Sequence, residues 1–188
     1  MTTSNDIANE AIQLMGGNQS AVTGLAPNFD NSTTGKALQK LYAPTVAAVA
    51  RQHEWDFARK TAALALSGNA APFPWAYEYN YPAECVQLWQ IAPASLLDVN
   101  NPIPINFTVG NAVVGGSQSK VIWTNLQGAL GVYNANPQET TWDALFRQSV
   151  VRLLSSVLAL STAGKPDLAQ SMLESGGAFE TLAESRDS

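Results

Sequence analysis

The sequence predicts an α+β fold that is mainly helical: a small helical bundle with an inserted antiparallel β meander and an extended C-terminal arm. Two long segments carry apolar residues at the spacing of one helix face. Between them lie short segments with strand-like alternation, separated by glycine pairs and prolines. After Gly176-Gly177 only two large apolar side chains remain, which predicts an arm at the end of the chain.

Four helices are predicted, at about 4–16, 32–58, 140–163 and 166–175. Gly16-Gly17 should end the first helix. Pro44 should kink or interrupt the second, because proline removes one helix hydrogen bond. The third helix has the longest apolar stripe. With the β region they are predicted to form a single domain over 1–175, followed by the arm at 176–188.

The β region is predicted at about 75–133, with turns at Gly110-Asn111 and Gly115-Gly116. At its start five rings alternate strictly, which places them on one face of an extended chain: Phe73, Trp75, Tyr77, Tyr79 and Tyr81. We interpret this face as core, or as a contact with a neighbouring subunit. A stacking platform for nucleic acid would need cations, and no Lys or Arg lies between Lys60 and Lys120.

Composition limits the classes of function. The 188 residues fit one domain, and only 13% are charged, which is typical of a chain that hides surface in an assembly. A net charge of −5 argues against tight binding to phosphate backbones. Cys85 is the only cysteine, so an intrachain disulfide is excluded. We expect a soluble protein without a membrane span, made in a reducing cytoplasm.

The predicted core joins the two main helices through large apolar side chains: Trp55, Phe57, Trp142, Phe146, Leu153 and Leu154. Each aromatic residue offers a large apolar area to bury.

Catalytic and metal-binding patterns are largely missing. His53-Glu54 lacks the second histidine that a zinc helix needs four residues on, since Phe57 stands there. A pair of His53 with Cys85 stays possible but unsupported. Four carboxylates near the aromatic segment could serve in hydrolysis, although such positions are more typical of solvated partners of Lys or Arg: Glu54, Asp56, Glu78 and Glu84. We therefore expect no catalytic residue, no metal and no cofactor.

Several motifs resemble one family of viral proteins. Trp55-Asp-Phe57-Ala58 resembles the Trp-(Asn/Asp)-Phe-Ala motif of podovirus-type head-to-tail connectors, the adaptor or tail tubular A proteins of tailed phages. Tyr81-Pro-Ala-Glu-Cys85-Val is similar to the family's Leu-Pro-x-Asp-Cys-(Leu/Ile) segment, although Tyr81 replaces a leucine and Glu84 an aspartate. Trp142 leads a long apolar helix, as in connectors.

The end of the chain continues this resemblance. Leu182-Ala-Glu-Ser-Arg-Asp187 is similar to the family's Leu-Ala-x-Ala-Arg-x-Asp ending. Gly176-Gly177 departs from it, because it interrupts a last helix that is usually continuous. The motifs, taken in order, span about the whole chain.

The resemblance implies a structural virion protein at the head–tail junction, made in the cytoplasm of a host bacterium. Such connectors form a ring, typically a homo-dodecamer, that binds the portal protein, extends the DNA channel and presents a platform to a nozzle or tail tubular B-like protein. They have no cofactor, and DNA passes without specific binding. In the arm, Phe179, Leu182 and Arg186 are the candidate portal contacts. The alternative is a virion-associated peptidoglycan-degrading enzyme on a related fold.

Overall fold

The structure, a computed structural model, describes residues 2–16, 20–94 and 105–163. The chain divides into two compact units. A helical unit is built from the chain up to His53 and from Pro137 onward, and a β unit, Glu54–Asn136, is inserted between these parts. The predicted helix at 166–175 and the arm at 176–188 lie outside the described residues, and so do Phe179, Leu182 and Arg186.

The prediction of a mainly helical bundle with one β meander is wrong. The described chain has three α-helices and eight strands in three sheets, and its strands hold about as many residues as its α-helices. One cause is Arg59–Ala63, which continues a helix-like sequence pattern but pairs with a later strand. Another is Gly110-Asn111, which stays inside a strand instead of turning.

The helical unit contains α1 (Ser4–Leu14), α2 (Thr33–Gln52) and α3 (Ala144–Leu158). Each begins at a polar cap that accepts a backbone N–H. Thr3 and Asp6 form a capping box on α1, Ser32 Oγ accepts from Gly35 N at 3.0 Å, and Asp143 Oδ1 accepts from Phe146 N at 2.7 Å. The α2 helix runs continuously past Pro44 and ends before Trp55.

The α3 helix is the central helix of this unit and packs against both α1 and α2. It continues into a π-helical turn at Ala159–Ala163. Its 19-residue span Ala144–Thr162 is apolar enough to cross a membrane by length and composition, with a mean hydropathy of 1.2. Half of that window is buried inside the protein, which is the behaviour of a core helix.

A two-stranded hairpin precedes α2, formed by β1 (Gly24–Leu25) and β2 (Asn28–Phe29). The core of the unit is apolar along one face of each helix. Its buried side chains include Ile7, Ala11, Leu38, Val46, Val49, Phe146, Val150, Leu154 and Leu158.

The β unit holds two three-stranded antiparallel sheets. In the first, β8 (Ala129–Ala135) lies between β3 (Arg59–Ala63) and β5 (Cys85–Pro93). In the second, β7 (Ser117–Thr124) lies between β4 (Tyr77–Asn80) and β6 (Phe107–Val114). Gly115 and Gly116 form the β6–β7 turn with φ of 58° and 84°, values that suit glycine in a tight hairpin.

One apolar cluster holds residues of both sheets and forms the core of the β unit: Leu64, Tyr79, Leu88, Ile91, Ile122, Ala129 and Tyr133. The six residues predicted to form a single core divide between the units. Trp55, Phe146 and Leu154 are buried, whereas Phe57, Trp142 and Leu153 are only partly buried. The ring of Trp142 meets that of Phe146 edge to face at 4.8 Å.

Candidate functional site

The most unusual chemical feature of the β unit is a buried carboxylate, Glu78 on β4, which is 3% exposed. Its Oε2 accepts a hydrogen bond from Trp123 Nε1 at 2.7 Å. Its Oε1 accepts from Ser67 Oγ at 2.8 Å and from Asn69 Nδ2 at 2.9 Å. All three of these donors are neutral, so the negative charge is held by hydrogen bonds alone in this cluster.

The hydrogen bonds decide the ionisation of Glu78. Burial on its own would raise the pKa of this carboxyl, because it disfavours the charged form. The bonds from Trp123, Ser67 and Asn69 outweigh that effect, and the pKa of Glu78 lies below its ordinary value. The side chain is therefore an anion at neutral pH that only accepts hydrogen bonds. This state suits a structural link better than proton donation.

The Glu78 cluster fastens the segment that follows β3 onto the second sheet. Ser67 N donates to Glu78 O at 3.0 Å, and Asn69 Nδ2 reaches Val113 O on β6 at 2.9 Å. The Trp123 ring lies against Gly110 so closely that a Cβ there would stand 2.3 Å from ring atoms. The segment, β4, β7 and β6 are thus joined around one indole ring.

A second carboxylate, Glu84, lies in the turn before β5. Its Oε1 accepts from Lys60 Nζ at 2.5 Å and from the Tyr133 hydroxyl at 2.9 Å. The bond from Lys60, then that from Tyr133, lowers the pKa of Glu84. Burial, followed by the bond to Glu84, raises the pKa of Tyr133 to about 12. These contacts connect β3, β8 and the turn into β5.

The five alternating aromatic residues do not share one environment. Tyr79 is 1% exposed in the core, and its ring lies 6.4 Å from that of Tyr77. Phe73 is 99% exposed and stands outside β4, which begins at Tyr77. The prediction of a single aromatic face is therefore correct only for the strand itself. Lys120 Nζ lies 4.9 Å from the centre of the Tyr81 ring.

The remaining candidates for chemistry are placed separately. Glu54 pairs with Arg59 at 3.3 Å, as expected for a solvated carboxylate, and Asp56 is exposed. His53 is partly buried at the end of α2. Burial raises the pKa of the Cys85 thiol, which makes it less reactive. Within the described ranges, no group of three or more His, Cys, Asp or Glu side chains is arranged to hold a metal ion.

Sequence reasoning expected Glu78 to be a solvated carboxylate, and this is wrong. The alternation of the strand puts Glu78 on the face opposite Tyr77 and Tyr79, and that face is covered by Trp123 and the segment before β4. Trp123 is a diagonal neighbour of Gly110, which itself pairs with Val121, and the absence of a side chain at Gly110 leaves room for the indole ring.

No known family model matches this sequence, and no curated protein is significantly similar to it.

Proposed function

We propose that this protein is a structural ring adaptor between the portal and the tail of a short-tailed phage, where it extends the DNA channel. The supporting observation is the position of the connector-like motifs in the fold. Trp55-Asp-Phe57-Ala58 begins the β unit directly after α2, and Trp142 precedes α3, after the chain has left the β unit. Two of the motifs therefore lie close to the points at which the chain passes from one unit to the other.

The motif Tyr81-Pro-Ala-Glu-Cys85-Val also has a structural role in the chain. Cys85 N donates to Pro82 O at 3.0 Å, so this segment forms the turn that begins β5. Within it, Glu84 bonds Lys60 and Tyr133 from two other strands. The residues that carry the resemblance therefore stabilise the fold, which is what an adaptor without catalytic activity would require of them.

Charge supports the channel role. The net charge is −5, and three of the cations in the described chain are held by carboxylates: Arg59 by Glu54, Lys60 by Glu84 and Arg147 by Glu10. A channel lined by such a protein would let DNA slide, because its net negative charge disfavours binding to the phosphates.

The alternative, a peptidoglycan-degrading enzyme, needs a carboxylic acid that stays protonated near neutral pH. Hydrogen bonds outweigh the effect of burial and give the opposite result for two of the candidates: the pKa of Glu78 and the pKa of Glu84 are lowered. Glu54 is paired with Arg59 at 3.3 Å.

Electron microscopy of portal-bearing heads mixed with the purified protein tests the proposal. We expect a ring of added density at the single portal vertex, and the same heads without the protein are the control. Heads that remain bare at saturating protein would contradict the adaptor role. Release of peptidoglycan fragments, lost on Glu84→Gln, would support the enzyme instead.

Deletion of residues 178–188 tests the part of the proposal that concerns the arm. We expect the truncated protein to keep its fold, because these residues hold only two large apolar side chains, and to dock less well on portal-bearing heads. A point variant, Phe179→Ser with Leu182→Ser, should reproduce most of the loss. Unchanged docking of both proteins would remove the arm from the proposal.

A further inference from the structure

We propose that the outer edge of β6 is an intermolecular binding edge, which pairs with a strand of a second copy of this chain. An unpaired strand edge presents a row of backbone N–H and C=O groups to any extended segment. Folded proteins normally protect such edges with charges, prolines, bulges, short strands or covering segments. The two sheets of the β unit have four edges, and they differ in this respect.

Three of the four edges are protected. The β3 edge is five residues long and carries Arg59 and Lys60. The β5 edge is irregular, with register shifts between Cys85 and Gln87 and between Leu88 and Gln90. The β4 edge is covered by the preceding segment, because Asn80 N donates to Ala65 O at 2.8 Å and Leu66 bridges to Tyr79.

Within the part of the chain that the structure describes, the β6 edge lacks charges, prolines and bulges, and a neighbouring segment covers it only at Val113. Phe107–Val114 pairs with β7 in eight consecutive positions without a register shift. It contains no proline and no charged residue. Val109 and Val113 point to one face of the strand and are 40% and 62% exposed. Among the described residues, β7 is the only strand that pairs with β6. Asn69, which lies outside the sheet, donates a hydrogen bond to one β6 carbonyl, that of Val113.

The surroundings of β6 indicate which kind of partner can approach. No charged residue occurs in 105–119, or in 61–77, the segment that reaches Val113 through Asn69. A nucleic acid or an anionic lipid surface would require cations here. A neutral strand of another protein molecule requires none, and it satisfies the edge through backbone hydrogen bonds.

A second copy of the chain is the partner that this neutrality favours. Two molecules that each carry a net charge of −5 repel each other where their charged surfaces meet. The β6 edge brings them together through a surface without charge, where that repulsion is least. The inference goes beyond the proposed function: because the other three described edges are protected, β6 would meet the β6 strand of the second copy, in a self-complementary contact that joins two chains.

Hydrogen exchange at two protein concentrations, combined with sedimentation velocity, tests the inference on the full chain. We expect the amides of 107–114 to exchange more slowly at high concentration, as association appears in sedimentation. The high concentration should reach about 1 mM, at which a contact with a dissociation constant of about 1 mM is substantially formed. Val113→Lys and Val109→Lys should each weaken the association by roughly tenfold or more, because they place a charge on the edge.

Leu25→Lys is the matched control, since Leu25 is an exposed apolar residue of β1 in the helical unit and its replacement should leave the association unchanged. Unfolding midpoints of the variants show that they are folded, and Val113→Lys is the safer variant because its side chain is more exposed. A native chain that stays monomeric at about 1 mM overturns the inference and leaves the edge to another protein. Association without protection of 107–114, or association unchanged in Val113→Lys, overturns it as well.

Failure of this inference is distinguishable from failure of the proposed function. A monomeric protein that still forms a ring of density on portal vertices contradicts the β6 edge in the free protein and leaves the adaptor role supported. A protein that associates through β6 but never docks on portals supports the β6 edge and contradicts the adaptor role.

Discussion

Trp123 and Glu78 are directly opposite each other on β7 and β4, and the indole N–H of Trp123 donates to the Glu78 carboxylate at 2.7 Å. A buried charge is tolerated only when hydrogen bonds replace the water that it has lost. Here three neutral donors do so, and two of them belong to the segment before β4. The pair therefore determines both the packing of the sheet and the position of that segment.

Glu78→Gln should lower the free energy of unfolding by about 1–3 kcal/mol. The replacement amide keeps the shape of the side chain but offers one N–H₂ group where the carboxylate offered an acceptor, so at least one buried donor faces another donor. Urea denaturation measures the change. Glu54→Gln is the matched control, because Glu54 is partly exposed in an ion pair with Arg59, and we expect a loss below about 1 kcal/mol. Equal losses in the two variants would contradict the role given to Glu78.

Gly110→Ala should destabilise the protein by about 1–3 kcal/mol, because the new methyl group would overlap the Trp123 ring. The backbone of Gly110 needs no unusual φ, so the ring contact is the expected cause. A double-mutant cycle separates this cause from any general intolerance of the strand. In a Trp123→Ala background the cost of Gly110→Ala should shrink to below about 1 kcal/mol. A cost that stays the same would show that the ring is not the obstacle.

Stability should depend on pH at both ends of the scale. The pKa values of Glu78 and Glu84 are lowered on folding, so their contribution is complete above their ordinary value of 4.5 and is lost as the pH falls below it. The pKa of Tyr133 is raised from 10.0 to about 12, so its contribution is complete below pH 10.0 and is lost as the pH rises toward about 12.

Tyr133→Phe tests the alkaline part. Below pH 10.0 the variant should be less stable by about 0.5–1.5 kcal/mol, because the bond to Glu84 is lost. Above that pH its stability should fall less steeply than that of the native chain. The acid limb should remain, since Lys60 is the larger cause of the lowered pKa of Glu84. Urea midpoints across the pH range measure both limbs, and parallel alkaline limbs would contradict this assignment.

The helices could largely be predicted from the sequence because each signal for them is local. Caps such as Ser32 and stripes such as that of α3 lie within a few residues of the structure that they specify. The Gly115-Gly116 turn was predicted for the same reason. The interruption of α2 that was one of the two alternatives expected at Pro44 is wrong, because the helix runs continuously through this residue.

The sheets depend on partners distant in sequence, and the prediction was poorer there. Nothing near Arg59–Ala63 reveals that its partner is Leu130–Asn134, and nothing near Glu78 reveals that Trp123 will cover it. Gly110-Asn111 resembled a turn, because the local pattern does not show that a distant ring will occupy the space above Gly110. The sequence named Glu78 but not its hydrogen-bonded cluster, because the four side chains of the cluster come from three separate segments: Ser67 and Asn69, Glu78, and Trp123.

The isolated protein should not bind duplex DNA usefully at physiological salt. Affinity for DNA comes mainly from cations that release counterions from phosphates, and this chain has a net charge of −5. Lys60 and Arg59 are held by Glu84 and Glu54. A mobility-shift or anisotropy titration over a salt series measures the affinity.

The double variant Glu54→Gln with Glu84→Gln is the informative comparison, because it releases both cations and raises the net charge by two. At low salt it should bind more tightly than the native chain, with a salt slope steeper by about 2. A sub-micromolar, salt-sensitive affinity of the native chain would contradict the proposal that DNA slides past this protein without being held.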